Sequence, residues 1–426
     1  MNEIIVQKYG GTSVGTLERI KAVAEKINRV HKQGVDLVVV VSAMAGETDK
    51  LLSMAGTLTD KPERREIDLL LSSGERISSA LLSMALHALG CPAIALTGRQ
   101  IGMQTDAAHT KARITGIDVT LAKKYMKEGK VLVVAGFQGI SDCGNVTTLG
   151  RGGSDTSAVA LAVALKAKQC EILTDVDGVY TTDPNVVPNA RKLDVVSFDE
   201  MLEMASLGAK VLQIRCVEFA KKYNMPMVVK SSFNDNATGT LICKENSDME
   251  QPIVSGVMRD DKQAKITIKG VKDKPGIAAE IFNALGDAAL SVDMIIQNIS
   301  REGFTDISFT VASSDCEEAI EIVDKIKDSV GFENIDANRR ISKVSIVGAG
   351  MRSHSGVAAK MFDTLSREKI NILMISTSEI KVSCIIEQKH SKLAVQKLHE
   401  AFEMDVNPQS AATAKKAQKK SSKKAK

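Results

Sequence analysis

Short apolar segments alternate with longer helical segments over the first 235 residues of the chain. The run Val38-Val39-Val40-Val41 contains no polar residue, so both faces of this strand should be buried, as in a parallel sheet covered by helices. The pattern predicts a layered α/β domain that ends near residue 235. The predicted strands are 3–7, 37–42, 93–97, 131–135, 171–174 and 227–230, and the clearest helices lie around 17–30, 74–89 and 157–164.

The C-terminal half contains an internal repeat. A shift of 80 residues matches Gly276 with Gly356 and Phe282 with Phe362, and the same register reaches Met294-Ile295 and Met374-Ile375 without a gap. Each copy has the pattern strand, glycine turn, amphipathic helix, strand, second strand and helix, which predicts a duplicated βαββαβ module. Further matches are Ala278 with Ala358, Ala279 with Ala359 and Leu285 with Leu365.

The net charge of +4 comes from the C-terminal tail, whose last 16 residues hold seven lysines and no acid. The rest of the chain carries 49 basic and 52 acidic residues, a nearly neutral balance that argues against nucleic-acid binding. The tail lacks large apolar residues, so we expect it to be disordered.

Compartment and membrane association can also be judged from the sequence. Met1-Asn2-Glu3 leads directly into a predicted strand, and no apolar run is long enough to cross a bilayer, so we expect neither a signal peptide nor a membrane partner. The seven cysteines are scattered without a C-x-x-C pair, which predicts neither disulfides nor a zinc site. These features favour a cytoplasmic protein.

A glycine-rich segment, residues 8–15, follows the first predicted strand and precedes the first helix. Adjacent Gly10 and Gly11 would let the backbone approach a bulky anion, and the helix start offers free N–H groups. The alternative is a tight turn that carries an exposed lysine, Lys8. The spacing fits neither a Walker A loop nor a protein-kinase glycine loop.

Four motifs in this order resemble those of the aspartokinases, within the amino-acid kinase superfamily. They are Lys-Tyr-Gly-Gly-Thr-Ser at 8–13, Ser-Gly-Glu-Arg-Ile-Ser-Ser at 73–79, Gly-Arg-Gly-Gly-Ser-Asp-Thr-Ser-Ala at 150–158 and Thr-Asp-Val-Asp-Gly-Val-Tyr-Thr-Thr-Asp-Pro at 174–184. The resemblance covers residues 1–404 and ends at the basic tail.

The resemblance implies a three-layer α/β/α amino-acid kinase domain with a mostly parallel sheet, followed by two ferredoxin-like βαββαβ ACT domains, which bind amino acids. The expected boundaries are 1–235 for the kinase domain, 236–262 for a linker, 263–340 and 341–404 for the ACT domains, and 405–426 for the tail.

The implied reaction moves the γ-phosphoryl group of ATP to the side-chain carboxylate of L-aspartate and yields 4-phospho-L-aspartate, the first step toward lysine, threonine and methionine. The acceptor carboxylate is ionised at pH 7 and needs no general base, and the six histidines lie outside every motif. Positioning and charge stabilisation should therefore dominate. Mg²⁺ is expected to arrive bound to the ATP phosphates, without protein ligands.

The resemblance also implies roles for individual residues. Lys8 would stabilise the transferred phosphoryl group and Asp155 would orient Lys8. Glu75 would pair with the aspartate ammonium and Arg151 with its α-carboxylate, with Thr48 and Ser154 nearby. The expected ATP-binding residues are Lys8, Tyr9, Gly10, Gly11, Ser13, Ser42, Thr174, Asp175, Tyr180, Asp183 and Lys210, with Thr12 as a further donor.

Structural alternatives remain for several of these residues. Ser154 could be a helix N-cap and Asp155 a first-turn acid favoured by the helix dipole. Glu75 and Arg76 could be surface charges of a helix. The segment that contains Asp183 could be a strand end followed by a turn.

The ACT repeats imply regulation by lysine and threonine and at least a homodimer, with units paired across subunits. An internal start at Met249 or Met258 would yield a separate regulatory subunit. The expected effector-binding residues are Asp273, Gly276, Ile277, Ala278, Asp293, Gln297 and Asn298 in the first repeat, and Ser376, Thr377 and Glu379 in the second.

Two other functions compete with this one. Another amino-acid kinase, such as a glutamate kinase, is disfavoured by the paired ACT units and the complete Ser-Gly-Glu-Arg motif. A non-catalytic amino-acid sensor is disfavoured because Lys8, Glu75, Arg151 and Asp155 are all present.

Overall fold

The structure, a computed structural model, describes residues 2–208, 211–245, 253–298 and 303–406, with residue 353 described by its backbone alone. Contacts divide the described chain into two units. The first comprises residues 2–180, 192–206 and 211–245, and the second comprises 181–191, 207–208, 253–298 and 303–406.

The first unit alternates strands and helices, as the sequence predicts. Its elements are β1 (Ile4–Tyr9), α1 (Leu17–His31), β2 (Asp36–Val41), α2 (Glu47–Leu58), α3 (Arg64–Ala88), β3 (Ala93–Leu96), β4 (Met103–Thr105), β5 (Ile114–Ile117), α4 (Thr120–Lys127), β6 (Val131–Ala135), β7 (Gln138–Ser141), β8 (Val146–Thr148), α5 (Gly153–Leu165), β9 (Gln169–Thr174), β10 (Val195–Ser197), α6 (Phe198–Ser206), α7 (Ile214–Tyr223), β11 (Met227–Ser231) and β12 (Thr240–Cys243).

The main sheet of this unit has the strand order β10-β12-β11-β9-β1-β2-β6-β3 within the described residues. It is parallel from β11 to β3, whereas β12 is antiparallel to β11. Helices α1 and α3 cover one face through residues such as Ile27 and Leu82, and α5 contacts β1, β2 and β9. Because Val38 to Val41 are fully buried between these layers, the predicted three-layer architecture is confirmed. A smaller sheet has the order β5-β4-β7-β8.

The second unit contains both copies of the repeat. Its elements are β13 (Gly256–Lys272), α8 (Ile277–Asp287), β14 (Val292–Gln297), β15 (Phe304–Ala312), α9 (Cys316–Lys325), α10 (Lys327–Val330), β16 (Asn334–Val347), α11 (Val357–Arg367), β17 (Ile372–Thr377), β18 (Lys381–Glu387) and α12 (Ser391–Ala401). Helices α8 and α11 start 80 residues apart, as do β14 and β17, which confirms the predicted duplication. None of the helices in the described part of the chain combines the length and apolarity needed to cross a membrane.

The two repeats share long strands instead of forming separate sheets. Their strands form one sheet in the order β14-β15-β13-β16-β18-β17. Residues 256–260 of β13 pair with 343–347 of β16, and residues 265–269 pair with 334–338. The first part of β13, residues 256–260, therefore belongs to the sheet of the second repeat although it precedes the first repeat in the chain. The predicted linker 236–262 differs from the structure, because it contains β12 and the start of β13.

One segment of the kinase region packs with the repeats. Residues 181–191 follow Tyr180 directly and belong to the second unit. The carbonyl of Thr181 accepts a hydrogen bond from the Val257 N–H at 2.8 Å, and its hydroxyl lies 2.9 Å from His399 Nε2. Val186 lies in the apolar core formed with α11 and α12. The second unit thus includes a chain segment that leaves the main sheet just after β9.

Candidate active site

The candidate residues follow the carboxyl ends of neighbouring parallel strands. Backbone hydrogen bonds join the loops there: the Gly10 N–H donates to Leu173 O at 3.1 Å, and the Ser42 N–H donates to Tyr9 O at 3.1 Å. In open α/β sheets this edge is where ligands bind. The loops after β1, β2 and β9 are therefore placed for a common site.

Lys8 and Asp155 form an ion pair across the layers of the fold. Lys8 Nζ lies 2.6 Å from Asp155 Oδ1, and the two side chains are only 11% and 10% exposed. Asp155 lies in the first turn of α5, where the helix dipole also favours an acid, so both interpretations of this residue hold. The N-cap of α5 is Gly152, so the alternative role of Ser154 as N-cap is wrong.

The loop after β1 packs closely on the loop after β2. A Cβ at Gly11 would come within 2.8 Å of the Ala43 carbonyl oxygen, so only glycine fits without a backbone shift. A Cβ at Gly10 would lie 3.7 Å from Lys8 Nζ, which shows that the ammonium lies beside this loop.

Two predicted nucleotide residues at this loop already have partners within the protein. The Ser13 hydroxyl donates to Ser232 Oγ at 2.7 Å, and the Ser13 N–H donates to Gly10 O at 3.0 Å. Tyr9 is buried, its hydroxyl lies 3.3 Å from Gln7 Oε1, and burial raises the pKa of the phenol. Its side chain lies on the sheet face opposite to Lys8, because neighbouring strand residues alternate.

Glu75 is a buried carboxyl group with one oxygen left open. Its side chain lies on α3, the residue is 4% exposed, and Oε1 accepts a hydrogen bond from the Ala43 N–H at 3.1 Å. Oε2 is also buried and has no hydrogen-bond partner within the described ranges. Burial raises the pKa of Glu75 to about 7. The alternative of a surface helix charge is therefore wrong for Glu75, and the open oxygen suits an incoming ammonium group.

The other predicted aspartate contacts, Arg151, Ser154 and Thr48, lie on different elements of the first unit. Arg151 is exposed in the loop between β8 and α5. Ser154 is nearly buried, and a Cβ at Gly136 would lie 2.8 Å from its hydroxyl oxygen, so the end of β6 leaves room for this serine. Thr48 is half-buried in the first turn of α2.

Three predicted nucleotide residues, Thr174, Asp175 and Tyr180, lie at the end of β9 or shortly after it. The Thr174 hydroxyl donates to the Asp175 carboxylate at 3.1 Å at the end of β9. Burial and the charge of Asp177 raise the pKa of Tyr180, which is half-buried.

Asp183 and Lys210 are the remaining predicted nucleotide residues. Asp183 belongs to the second unit, where its carboxylate accepts a hydrogen bond from the Asn185 N–H at 2.9 Å within a turn. Lys210 lies outside the described residues.

Sequence reasoning missed the residues that hold the loops in place. Ser232 anchors Ser13, and its carbonyl accepts a hydrogen bond from Lys26. Its position directly after β11, at the same sheet edge as the other loops, was the available signal. The backbone N–H of Ala43 leaves no signal in a sequence at all. The described residues contain no group of three or more His, Cys, Asp or Glu side chains placed to bind a metal.

The first repeat contains a cavity of about 330 Å³ at the N-terminus of α8. The cavity is lined by residues 272–278 together with Gln297 and Thr305, so it brings together Asp273, Gly276, Ile277, Ala278 and Gln297 as predicted. Gly276 has φ +98° at the helix start, a conformation that favours glycine. The Asn298 carbonyl accepts a hydrogen bond from the Thr305 hydroxyl at 2.7 Å, next to this group.

The remaining predicted effector residues lie elsewhere. Asp293 is not among the residues that line this cavity. Its carboxylate forms an ion pair with Lys343, whose side chain is 4% exposed. In the second repeat, Glu379 pairs with Arg352 at 3.3 Å. Ser376 and Thr377 lie on β17, paired with β18.

Residues 3–231 match the amino acid kinase family, and residues 266–326 and 344–402 each match an ACT domain. The aspartokinase of Pseudomonas aeruginosa is 56% identical over 404 residues, which cover 94% of this chain and 98% of that protein.

Two solved structures of Escherichia coli aspartokinase III are similar in fold. One, in complex with aspartate and ADP in the R-state, has a TM-score of 0.77 at 27% identity and covers 94% of this chain and 99% of that chain. The other, in complex with lysine and aspartate in the T-state, has a TM-score of 0.73 at 26% identity and covers 94% of this chain and 100% of that chain.

Proposed function

This chain belongs to the aspartokinases of the amino acid kinase family, and on that premise we propose that it transfers the γ-phosphoryl group of ATP to the side-chain carboxylate of L-aspartate. The product is 4-phospho-L-aspartate, the activated precursor from which lysine, threonine and methionine are made. The relative that was solved with aspartate and ADP supports this choice of substrates.

Lys8 is the proposed phosphoryl-stabilising cation. Asp155 holds its ammonium beside the loop of Gly10 and Gly11, so the positive charge is fixed before the reaction and costs no reorganisation. The two glycines allow the triphosphate to approach the backbone. The acceptor carboxylate attacks in its ionised form, so no side chain needs to remove a proton.

Glu75 and Arg151 are the proposed contacts to the amino-acid end of aspartate. The open oxygen of Glu75 would accept the α-ammonium, and Arg151 would bind the α-carboxylate through its planar guanidinium. The observation that carries the proposal is the buried Glu75 carboxyl group, of which one oxygen has a hydrogen-bond partner. Lys8 Nζ lies beside Gly10, Gly11 packs on Ala43, and the Ala43 N–H donates to Glu75. The loops after β1 and β2 thus connect a cation for phosphate with an acceptor for ammonium.

Mg²⁺ is proposed to enter with ATP, bound through the phosphates. When bound, the ion would neutralise phosphate charge. The protein residues would bind and orient the remaining phosphate oxygens.

The cavity at α8 is the proposed effector site. Backbone N–H groups at the start of a helix suit an amino-acid carboxylate, and the residues that line the cavity include one acid, Asp273, and two lysines, Lys272 and Lys274. Lysine is the first candidate, since a relative was solved with lysine in the T-state, and threonine is the second. Assembly into at least a homodimer, with ACT units paired between subunits, is part of the same proposal.

Replacing Lys8 tests the proposed function directly. Lys8→Met should lower kcat by at least ~10²-fold, because one preorganised charge donor to the transition state is lost. The assay traps the acyl phosphate as a hydroxamate, with aspartate and glutamate compared as acceptors. The control is Lys168→Met, which removes an exposed ion pair with Glu3 and should leave kcat unchanged. Near-normal turnover of Lys8→Met, or glutamate used as well as aspartate, would contradict the proposal.

The pKa of Glu75 predicts a pH dependence of aspartate binding. Below pH 7 the buried carboxyl group becomes protonated and cannot pair with an ammonium, so the KM for aspartate should rise by roughly tenfold per pH unit. The KM for ATP should stay nearly constant. Glu75→Gln should have a high KM for aspartate that no longer depends on pH. A flat aspartate KM from pH 8 to 5.5 in the unmodified protein would remove Glu75 from this role.

Substituting Gln297 tests the effector cavity. Gln297→Ala should raise the inhibition constant for lysine by at least ~10-fold, because a hydrogen bond to a charged ligand is lost, while the uninhibited kcat stays within about twofold. The comparison is Asp293→Asn on the same strand, which lies outside the cavity and should change the inhibition constant much less. Equal relief by both substitutions would argue against this cavity as the site.

A further inference from the structure

The loop that carries Arg151 has little intrinsic rigidity. Arg151 lies between Gly150 and Gly152, which have φ values of +79° and +67°. Glycine is the residue with the greatest backbone freedom, and it loses the most when it is ordered. An exposed arginine on such a loop needs external contacts if it is to bind a carboxylate in a fixed geometry.

Arg215 on α7 supplies contacts on one side. Its Nη1 donates to the Leu149 carbonyl at 2.8 Å, and its Nη2 donates to the Ala112 carbonyl at 2.7 Å. Leu149 immediately precedes the loop, and Ala112 lies in the segment behind it, where the Ala112 N–H donates to Thr148 O at 3.0 Å. The planar fork of a guanidinium can span two carbonyl groups, which a lysine ammonium cannot reproduce.

Gln213, the residue directly before α7, contacts the loop after Arg151. A Cβ at Gly152 would lie 1.8 Å from Gln213 Cγ, so the backbone there packs directly on the residue before α7. The loop is therefore in contact with the start of α7 both before and after Arg151.

A second anchor holds the segment behind the loop. Buried Asp68 on α3 accepts hydrogen bonds from the Thr110 N–H at 3.0 Å and from the Thr148 hydroxyl, and it lies 2.7 Å from His109 Nδ1. A Cβ at Gly150 would lie 3.1 Å from Thr110 O. Arg215 thus joins the residue before the Arg151 loop to a segment that Asp68 also holds.

We infer that Arg215 is a positioning residue for the reaction: by bridging the Leu149 and Ala112 carbonyls, it fixes Arg151 and so sets the selectivity for an acceptor that carries an α-carboxylate. Arg215 itself does not touch the substrate. The inference rests on the proposed function, in which Arg151 binds that carboxylate.

The test compares Arg215→Met and Arg215→Lys with a control on the same helix, Lys221→Met. Lys221 pairs with Asp199 at 2.6 Å and makes no contact with the loop among those described. The readouts are the KM values for aspartate and ATP and the inhibition constant of 3-aminopropanoate, which is aspartate without its α-carboxylate. Thermal unfolding of each variant reports on folding.

Arg215→Met should raise the KM for aspartate at least ~10-fold, because a misplaced binding group costs up to 10²-fold. The KM for ATP and the inhibition constant of 3-aminopropanoate should stay within about twofold, since neither ligand uses Arg151. Arg215→Lys should be intermediate, because an ammonium lacks the planar fork that matches the two carbonyls, and Lys221→Met should resemble the unmodified protein. A purely structural role would raise all three constants together, and that result, or no change in the KM for aspartate, would overturn the inference.

Arg151→Ala separates this inference from the proposed function. If Arg151→Ala leaves the KM for aspartate unchanged, the proposed role of Arg151 is wrong and the inference is overturned with it. If Arg151→Ala raises that KM and Arg215→Met does not, the positioning inference alone is overturned. In the Arg151→Ala background, Arg215→Met should add less than about twofold, because both changes act through one contact.

Discussion

The ion pair between Lys8 and Asp155 is the constraint on which the rest of the site depends. Both side chains are about nine-tenths buried, and removing one partner of such a pair leaves an uncompensated charge that costs about 3–5 kcal/mol. The pair forms only if the first turn of α5 faces β1. α5 begins directly after Gly150 and Gly152, whose φ values of +79° and +67° lie on either side of Arg151. The pair thus fixes the position of the ammonium beside the loop after β1.

Two acids in this site have opposite surroundings. Asp155 Oδ1 lies 2.6 Å from the Lys8 ammonium, whereas Glu75 accepts a hydrogen bond from the Ala43 N–H and keeps a buried oxygen without a partner among the described residues. Burial raises the pKa of Glu75 to about 7, against the opposing effect of its backbone hydrogen bonds. Paired titratable groups in different environments commonly divide roles at active sites. Under the proposed function, one acid orients a protein cation, and the other is left for the ammonium group of the substrate.

The chain passes from one unit to the other directly after Tyr180. The segment from Thr174 to Tyr180 belongs to the first unit, and its direct continuation, residues 181–191, is hydrogen-bonded and packed within the second.

Local patterns predicted the six parallel strands of the main sheet, the layered fold and the repeat, because burial on both faces and an 80-residue periodicity can be read directly from the sequence. They did not predict β4, β5, β7, β8, β10 or β12. They could not predict that residues 256–260 pair with the second repeat. They also could not predict that Ser232 accepts a hydrogen bond from the Ser13 hydroxyl or that Lys343 forms an ion pair with Asp293. Each of these is a contact between residues distant in the sequence. The motifs identified Lys8, Glu75 and Asp155, whereas Arg215 binds two backbone carbonyls and leaves no recognisable spacing.

The most direct test of the central claim is a double-mutant cycle on the ion pair, with kcat for aspartate phosphorylation measured for Lys8→Met, Asp155→Asn and the double variant. If Asp155 acts by holding Lys8, the double variant should retain a kcat within about threefold of Lys8→Met, because the second substitution removes nothing more. Independent effects that multiply in the double variant would contradict the account.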